Sequence, residues 1–461
     1  MATMRTIAPL LASIAVALLV GCGSDDAPAD PGATSASSGA PAGSGGAADG
    51  GSGGAGAAGG GGGDGGGVAA DPCGVGEWTC VPVGAAGPYG ERTFDVPAAQ
   101  NWVNTGLFLK AGETATVTAA GEWQVNADDG QPIDHGPCLV ADLVARIGLH
   151  YEDTNLTCID AQGTVTADKD GILFLGALPS NDLGETYETR LHATGKKTVT
   201  VTSEGDTVPT VQGVDAVSYD FAQIASGWVE VWGEHAILTL PVATATLDKA
   251  TLAAATARLD AMYELHEELR HGVPHNGQRL RFFPDGTNPG YMLAGNPIRM
   301  QLDLVSGTDV QRISRVGEPG ADAWGPAHEM GHDFSFVGGF WTYQQDTLES
   351  WTNVFSWHAF EKLGLPLHDS AAPCNAASTG TYVVGDGEWD PWTGLCFLMQ
   401  FQFAHGWDFY EAFFTSINDD PMPEWTGDWE TTGWYFVHQQ FTAAAGEDVT
   451  PVFDEWGVPS P

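Results

Sequence analysis

Two histidines four residues apart, with a glutamate directly after the first, stand at His328-Glu329-Met330-Gly331-His332. On a helix, side chains at that spacing share one face. His328 and His332 would therefore aim two imidazoles at one divalent ion, with Glu329 beside it as the base for a water molecule. An HExxH pattern of this kind points to zinc-assisted hydrolysis, with a further ligand supplied from elsewhere in the chain. Glu349 is the leading candidate, and Asp346, a carboxylate in the same segment, is the alternative. Asn353 would share a helical face with Glu349 and hydrogen-bond a ligating histidine. Tyr343 and His405 are candidate donors to an oxyanion, though ordinary structural roles also fit them. The pattern also arises by accident on surface helices, so its surroundings matter.

The elements that must position these groups are partly legible. Pro326 suits a first helical turn, where its missing N–H has no intrahelical acceptor, so the motif helix should begin at Trp324 to Pro326. Gly338-Gly339 should end it. A second helix should carry Glu349 and Asn353. Upstream, Leu252, Ala255, Leu259, Met262, Leu265 and Leu269 recur mostly at spacings of three and four, which predicts a helix with one apolar face. That helix holds His266-Glu267 and His271, an HExxxH. A five-residue step turns about 140° beyond a full turn, so its imidazoles diverge. We read this stretch as a solvated helix face. Residues 206–245 read as strands, Ala236 to Pro241 most clearly. Residues 72–205 also read as β structure, since Thr114 to Thr118 and Thr198 to Thr202 alternate with period two and Ile172 to Leu175 is an apolar run between glycines. A β-sandwich is the natural packing solution. Most of the many tryptophans after Trp341 should be core.

Several segments together resemble the enhancin-like, mucin-targeting metallopeptidases of family 60. They are Ala294 to Ile298, Trp324 to Ala327 leading into the HExxH, Glu349 to Ser356, Gln400 to Trp407 and Pro451 to Pro459, so the resemblance spans residues 208–461. It implies a gluzincin, an HExxH peptidase whose later glutamate completes the zinc site. His328, His332 and Glu349 would hold Zn2+, Glu329 would be the catalytic base, and the substrate would be a mucin-like O-glycoprotein. The same pattern favours Glu349 over Asp346. The chain departs from the family at Asn296, where an aromatic residue is usual, and at Asp333, where Asn is usual. Neither change removes a ligand. Asn101 to Gly106 and Leu143 to Gly148 resemble the jelly rolls of galactose-binding bacterial lectins. There, calcium and sugar sit on an Asn/Asp loop, which implies Asn181 and Asp182 as Ca2+ ligands here. The loop Asn181 to Glu185 is shorter and lacks a paired Asn, so the module is either carbohydrate-binding or purely structural. The expected fold is multidomain: an N-terminal all-β sandwich (72–205), then an α+β, mainly helical gluzincin-type zinc peptidase domain (206–461).

The N-terminus reads as an address. Arg5, an apolar run from Ile7 to Val20 and the lipobox Leu19-Val20-Gly21-Cys22 predict a lipoprotein signal peptide over 1–22, with lipid on Cys22. Gly23 and Ser24 after the anchor favour the outer membrane or cell surface. Residues 23–71, nearly all Gly, Ala, Ser and Asp, cannot bury enough apolar surface to fold and read as a tether. A formal charge of −42, from 17 Lys plus Arg against 59 Asp plus Glu, argues against nucleic acid as a partner. The other six of the seven cysteines fall as neighbours, which suggests Cys73 with Cys80, Cys138 with Cys158, and Cys374 with Cys396. Two functions from different classes follow: a surface zinc endopeptidase for glycoproteins, and a glycan-binding adhesin with a vestigial peptidase fold. A gluzincin aminopeptidase is the weaker enzymatic rival.

Overall fold

A computed structural model describes residues 87–126, 129–132, 137–150, 155–178, 190, 192–212, 221, 224–242, 249–287, 291–301, 313–335, 337–338, 340, 347–382, 389–419 and 429–461. Cys22, the Cys73–Cys80 pair, Asn181, Asp182, Tyr343 and Asp346 lie outside them. Among the described residues, no helix is long and apolar enough to cross a membrane.

The N-terminal part is β-rich. Its strands are β1 (Pro88–Pro97), β2 (Val103–Leu109), β3 (Thr114–Ala120), β4 (Trp123–Gln124), β5 (Leu143–Ile147), β6 (Thr157–Ile159), β7 (Gln162–Thr166), β8 (Gly171–Ala177) and β9 (Thr194–Thr207). They form one nine-stranded sheet in the order β6-β5-β8-β2-β9-β3-β7, with β1 and β4 also on β9. The 14-residue β9 is the joint: its middle pairs with β3 and its last residues with β2. Alternating Val199 and Val201 of β9, Val117 of β3, Leu107 of β2 and Leu173 and Leu175 of β8 meet in one apolar core. A disulfide joins Cys138 to Cys158, as the neighbour pairing anticipated.

A second, six-stranded sheet follows, in the order β10 (Thr210–Gln212), β11 (Trp228–Trp232), β12 (Ala236–Pro241), β13 (Leu280–Asp285), β15 (Ile298–Gln301) and β14 (Met292–Leu293). Helix α1 (Lys249–Arg270) links the parallel pair β12 and β13. Helices follow: α2 (Trp324–Ser335), α3 (Leu348–Leu363), α4 (Pro391–His405), α5 (Trp407–Asp419), α6 (Trp429–Ala445) and α7 (Thr450–Trp456). One core runs from β11 and β12 through α1, α2 and α3 to α7. Trp351, Trp357, Trp389, Trp407 and Trp434 are buried in it. Cys374 is disulfide-bonded to Cys396 on α4.

The two parts share a buried boundary. The outward residues Phe108, Val144, Ile172 and Phe174 of the first sheet pack against Phe283 of β13 and Trp228 of β11. Phe174 meets Phe283 edge-on at 5.9 Å between ring centroids. Polar contacts ring this patch. The Asn101 backbone N–H donates to Gln278 Oε1 (2.9 Å), and its side-chain amide donates to the Asn296 carbonyl (2.9 Å). His150 Nδ1 stands 2.9 Å from Asp285 Oδ1, and Arg299 Nε donates to the Leu149 carbonyl (2.9 Å).

Candidate metal centre

The motif residues lie on α2, which packs against α1 and α3. Pro326 sits in its first turn, as the sequence indicates. The helix ends at Ser335, before the glycine pair; the Ser335 hydroxyl donates back to the Gly331 carbonyl, and Gly338 takes a left-handed φ of 64°. Gly331, inside the motif, lets α3 come close: a Cβ there would meet the Thr352 carbonyl oxygen at 2.9 Å and Phe355 Cβ at 3.3 Å. α3 starts after Thr347, so Glu349 falls in its first turn and Asn353 one turn later. The two helices thus face each other with His328 and His332 on one side and Glu349 and Asn353 on the other.

That apposition gathers three donors. His328 Nε2 is 2.8 Å from Glu349 Oε2, and His332 Nε2 is 3.4 Å from Glu349 Oε1. One ligand atom from each of the three residues lies within 4.8 Å of the others. The imidazole rings stand edge to face, 4.8 Å apart. Ligand atoms around a four-coordinate ion with bonds of about 2.0–2.2 Å sit about 3–4 Å from one another, so two imidazoles and a carboxylate at this spacing fit zinc in both chemistry and size. Asp346 lies outside the described residues. Both histidines are buried, whereas the Glu349 side chain keeps 24% of its exposure, which places the opening of the site on its side.

Electrostatics separate the two glutamates. Burial raises the Glu349 carboxyl, but His332 and His328 beside it outweigh that effect and hold it well below the usual carboxylate range. The Glu329 carboxyl is raised, because burial outweighs the pull of His328 and His332. One carboxylate is kept charged and the other is readily protonated, which suits a ligand and a proton carrier respectively.

The surrounding contacts are equally specific. Asn353 Oδ1 lies 2.8 Å from His328 Nδ1, the contact that its spacing from Glu349 suggests. Trp324 Nε1 donates to the same oxygen at 3.0 Å. Asp333 is fully buried. Its Oδ1 accepts the Gly295 N–H (2.9 Å) and stands 3.0 Å from His275 Nε2. Asn296 is buried as well; its amide pins the Arg281 N–H and the Arg279 carbonyl. Both positions where the chain departs from the pattern it resembles are therefore interior joints. His405 stands 3.7 Å from Glu447 and stacks on Phe409 at the end of α4.

One sequence expectation is corrected. His266 is not on a solvated face: it is fully buried, and its Nε2 lies 2.8 Å from the Ala327 carbonyl of the motif helix. Only His271, the other half of the HExxxH, is exposed. His266 is in phase with Met262 and Leu269 on the apolar stripe of α1, and that phase was the available signal. His275, which sequence reasoning passed over, has no such periodic signal, because its partner Asp333 is distant in sequence and on another element.

Among curated proteins, the chain is 27% identical over 183 residues to TRPM8 channel-associated factor 2 from Homo sapiens, covering 37% of this chain and 18% of that one. It is 25% identical over 254 residues to the TRPM8 channel-associated factor homolog from Xenopus laevis, covering 50% and 26%. The chain thus spans about a fifth to a quarter of the length of these relatives. A functionally unknown conserved protein from Bacillus anthracis superposes with a TM-score of 0.54 at 15% identity, covering 80% of this chain and 76% of that one. IMPa from Pseudomonas aeruginosa, solved in complex with an O-glycopeptide, superposes with a TM-score of 0.52 at 15% identity, covering 83% of this chain and 51% of that one. These superpositions speak to the fold alone. Residues 220–457, just over half of the chain, match the family described as Peptidase M60, enhancin and enhancin-like, and the chain belongs to that family.

Proposed function

We propose that this protein is a zinc-dependent endopeptidase that cuts O-glycosylated, mucin-like proteins outside the cell. The observation that carries the reading is the convergence of His328, His332 and Glu349 within 4.8 Å, with buried Glu329 beside them. Membership of a metallopeptidase family supports the reaction class. The O-glycopeptide bound to IMPa, a protein of similar fold, supports the substrate class.

When bound, zinc supplies a Lewis acid that polarises the scissile carbonyl and acidifies water. The chain's own residues do the rest. His328, His332 and Glu349 hold the ion. Glu329 takes a proton from the attacking water as its oxygen bonds to the carbonyl carbon, and delivers that proton to the amine nitrogen as the C–N bond breaks. The raised affinity of Glu329 for a proton makes it a competent carrier in both directions. The β-rich part, read as a sandwich similar to lectin jelly rolls, would serve as the substrate-facing module or as a structural support. Calcium at Asn181 and Asp182 and lipid on Cys22 belong to the same proposal, on the sequence grounds given above.

A defined O-glycopeptide and its unglycosylated twin, incubated with and without a chelator and read by mass spectrometry, test this. Cleavage of the glycosylated form only, lost with chelator and reduced about 10²–10⁴-fold by Glu329→Gln at unchanged zinc content, is the expected result. Glycan binding with neither zinc nor cleavage would establish the adhesin reading instead. A strict need for a free N-terminus would point to an aminopeptidase. Retention of lipid label by a Cys22→Ser variant would refute the anchor.

A further inference from the structure

Two ring nitrogens on α2 are aimed at one atom of α3. Trp324 Nε1 and His328 Nδ1 stand 3.0 and 2.8 Å from Asn353 Oδ1, and all three side chains are buried. An indole N–H donates and never accepts, so the Asn353 atom facing it must be the amide oxygen. The reverse orientation would set the amide NH2 against the indole N–H and leave two buried donors facing each other. With oxygen held there, the nearby His328 nitrogen must carry a hydrogen. The ring's lone pair is then left on Nε2, the nitrogen that faces Glu349. Thr352 Oγ1 lies beside the same ring, 3.2 Å from Nδ1, but its hydrogen is committed to the Glu349 carbonyl at 2.8 Å. It does not supply Nδ1 with a competing donor.

We propose that Trp324 is a positioning residue: its indole N–H locks the Asn353 amide, and the locked amide selects the His328 tautomer whose Nε2 can bind a metal. The proposal rests on the reading of His328 as a ligand. Trp324 and His328 are one helical turn apart, so the indole and the imidazole read the same partner from the same face. Packing alone would not demand tryptophan. The ring's apolar neighbours, Phe360 at 4.9 Å and Trp392 at 6.0 Å between centroids, would also accept phenylalanine.

The test uses the whole chain and measures zinc affinity by chelator competition, with no substrate present. Trp324→Phe removes the N–H and lets the amide turn over; zinc affinity should fall about 10-fold, the range seen when such outer partners are lost. Asn353→Asp presents an oxygen in either orientation, so the Trp324→Phe/Asn353→Asp double variant should bind within about 3-fold of Asn353→Asp alone. A purely structural defect at Trp324 would not be rescued in this way. Unchanged affinity in Trp324→Phe, or a double variant as weak as Trp324→Phe, overturns the proposal. If Trp324→Phe does not fold, β-(3-benzothienyl)alanine at position 324 keeps the indole shape without its N–H and faces the same two outcomes. A wild-type protein that binds no zinc would refute the metal reading itself, an outcome distinct from zinc binding that is indifferent to Trp324.

Discussion

His266 carries no charge at neutral pH, because burial pushes its imidazole down to about 4 against the opposing pull of the Ala327 and Met262 carbonyls. In the unfolded chain the same group titrates near 6.5. Below that value the unfolded state binds a proton that the folded state refuses, so stability falls with pH until about 4 is reached. At pH 5 the loss from this one residue should be about 2 kcal/mol. Denaturant unfolding at pH 7 and pH 5 checks it: the wild type should lose about 2 kcal/mol more than His266→Gln, which keeps a donor for the Ala327 carbonyl and does not titrate. The residue also shows what a chain can reveal about single side chains. The spacing of His328, His332, Glu349 and Asn353 was readable because i to i+4 relations on two helices are properties of the local chain. The partners of His266 and His275 were not, because each contact crosses from one element to another that the sequence does not place beside it.

Elements earn their positions here through close approach. Gly331 sits between the two motif histidines and faces the Thr352 carbonyl, where a side chain has no room. Gly331→Ala must therefore push α2 and α3 apart. The expected cost is about 1–3 kcal/mol in denaturant unfolding, accompanied by weaker zinc binding, since His328 and His332 ride on one helix and Glu349 on the other. Loss of stability with unaltered zinc affinity would show that the helices move without opening the site. Element existence was largely legible: the apolar stripe of α1 follows from a period of 3.6, and β12 from a short apolar run closed by Pro241. The order of the second sheet was not, since β12 pairs with β13 only across the whole of α1. The complete burial of β2 and β8 was also hidden. It arises because both faces of those strands are covered, one by the first core and one by Phe283 and its neighbours.

At the scale of the molecule, the β-rich part and the helical part are bonded as one body. Phe283 is buried between them, so Phe283→Ala should cost about 3–5 kcal/mol even though it lies in neither core alone. Scanning calorimetry should show one transition for both parts in the wild type and two in Phe283→Ala; two transitions in the wild type would refute the coupling. The chain from Asn101 through His275 to Asp333 carries that coupling to the residue after His332. A rigid seam of this kind works as a ruler. Under the proposed function, a saccharide seated at one site on the β-rich part would stand at one set offset from the scissile bond, so the cleavage position would be counted from the decoration, whereas a loosely strung pair of domains would sample many offsets.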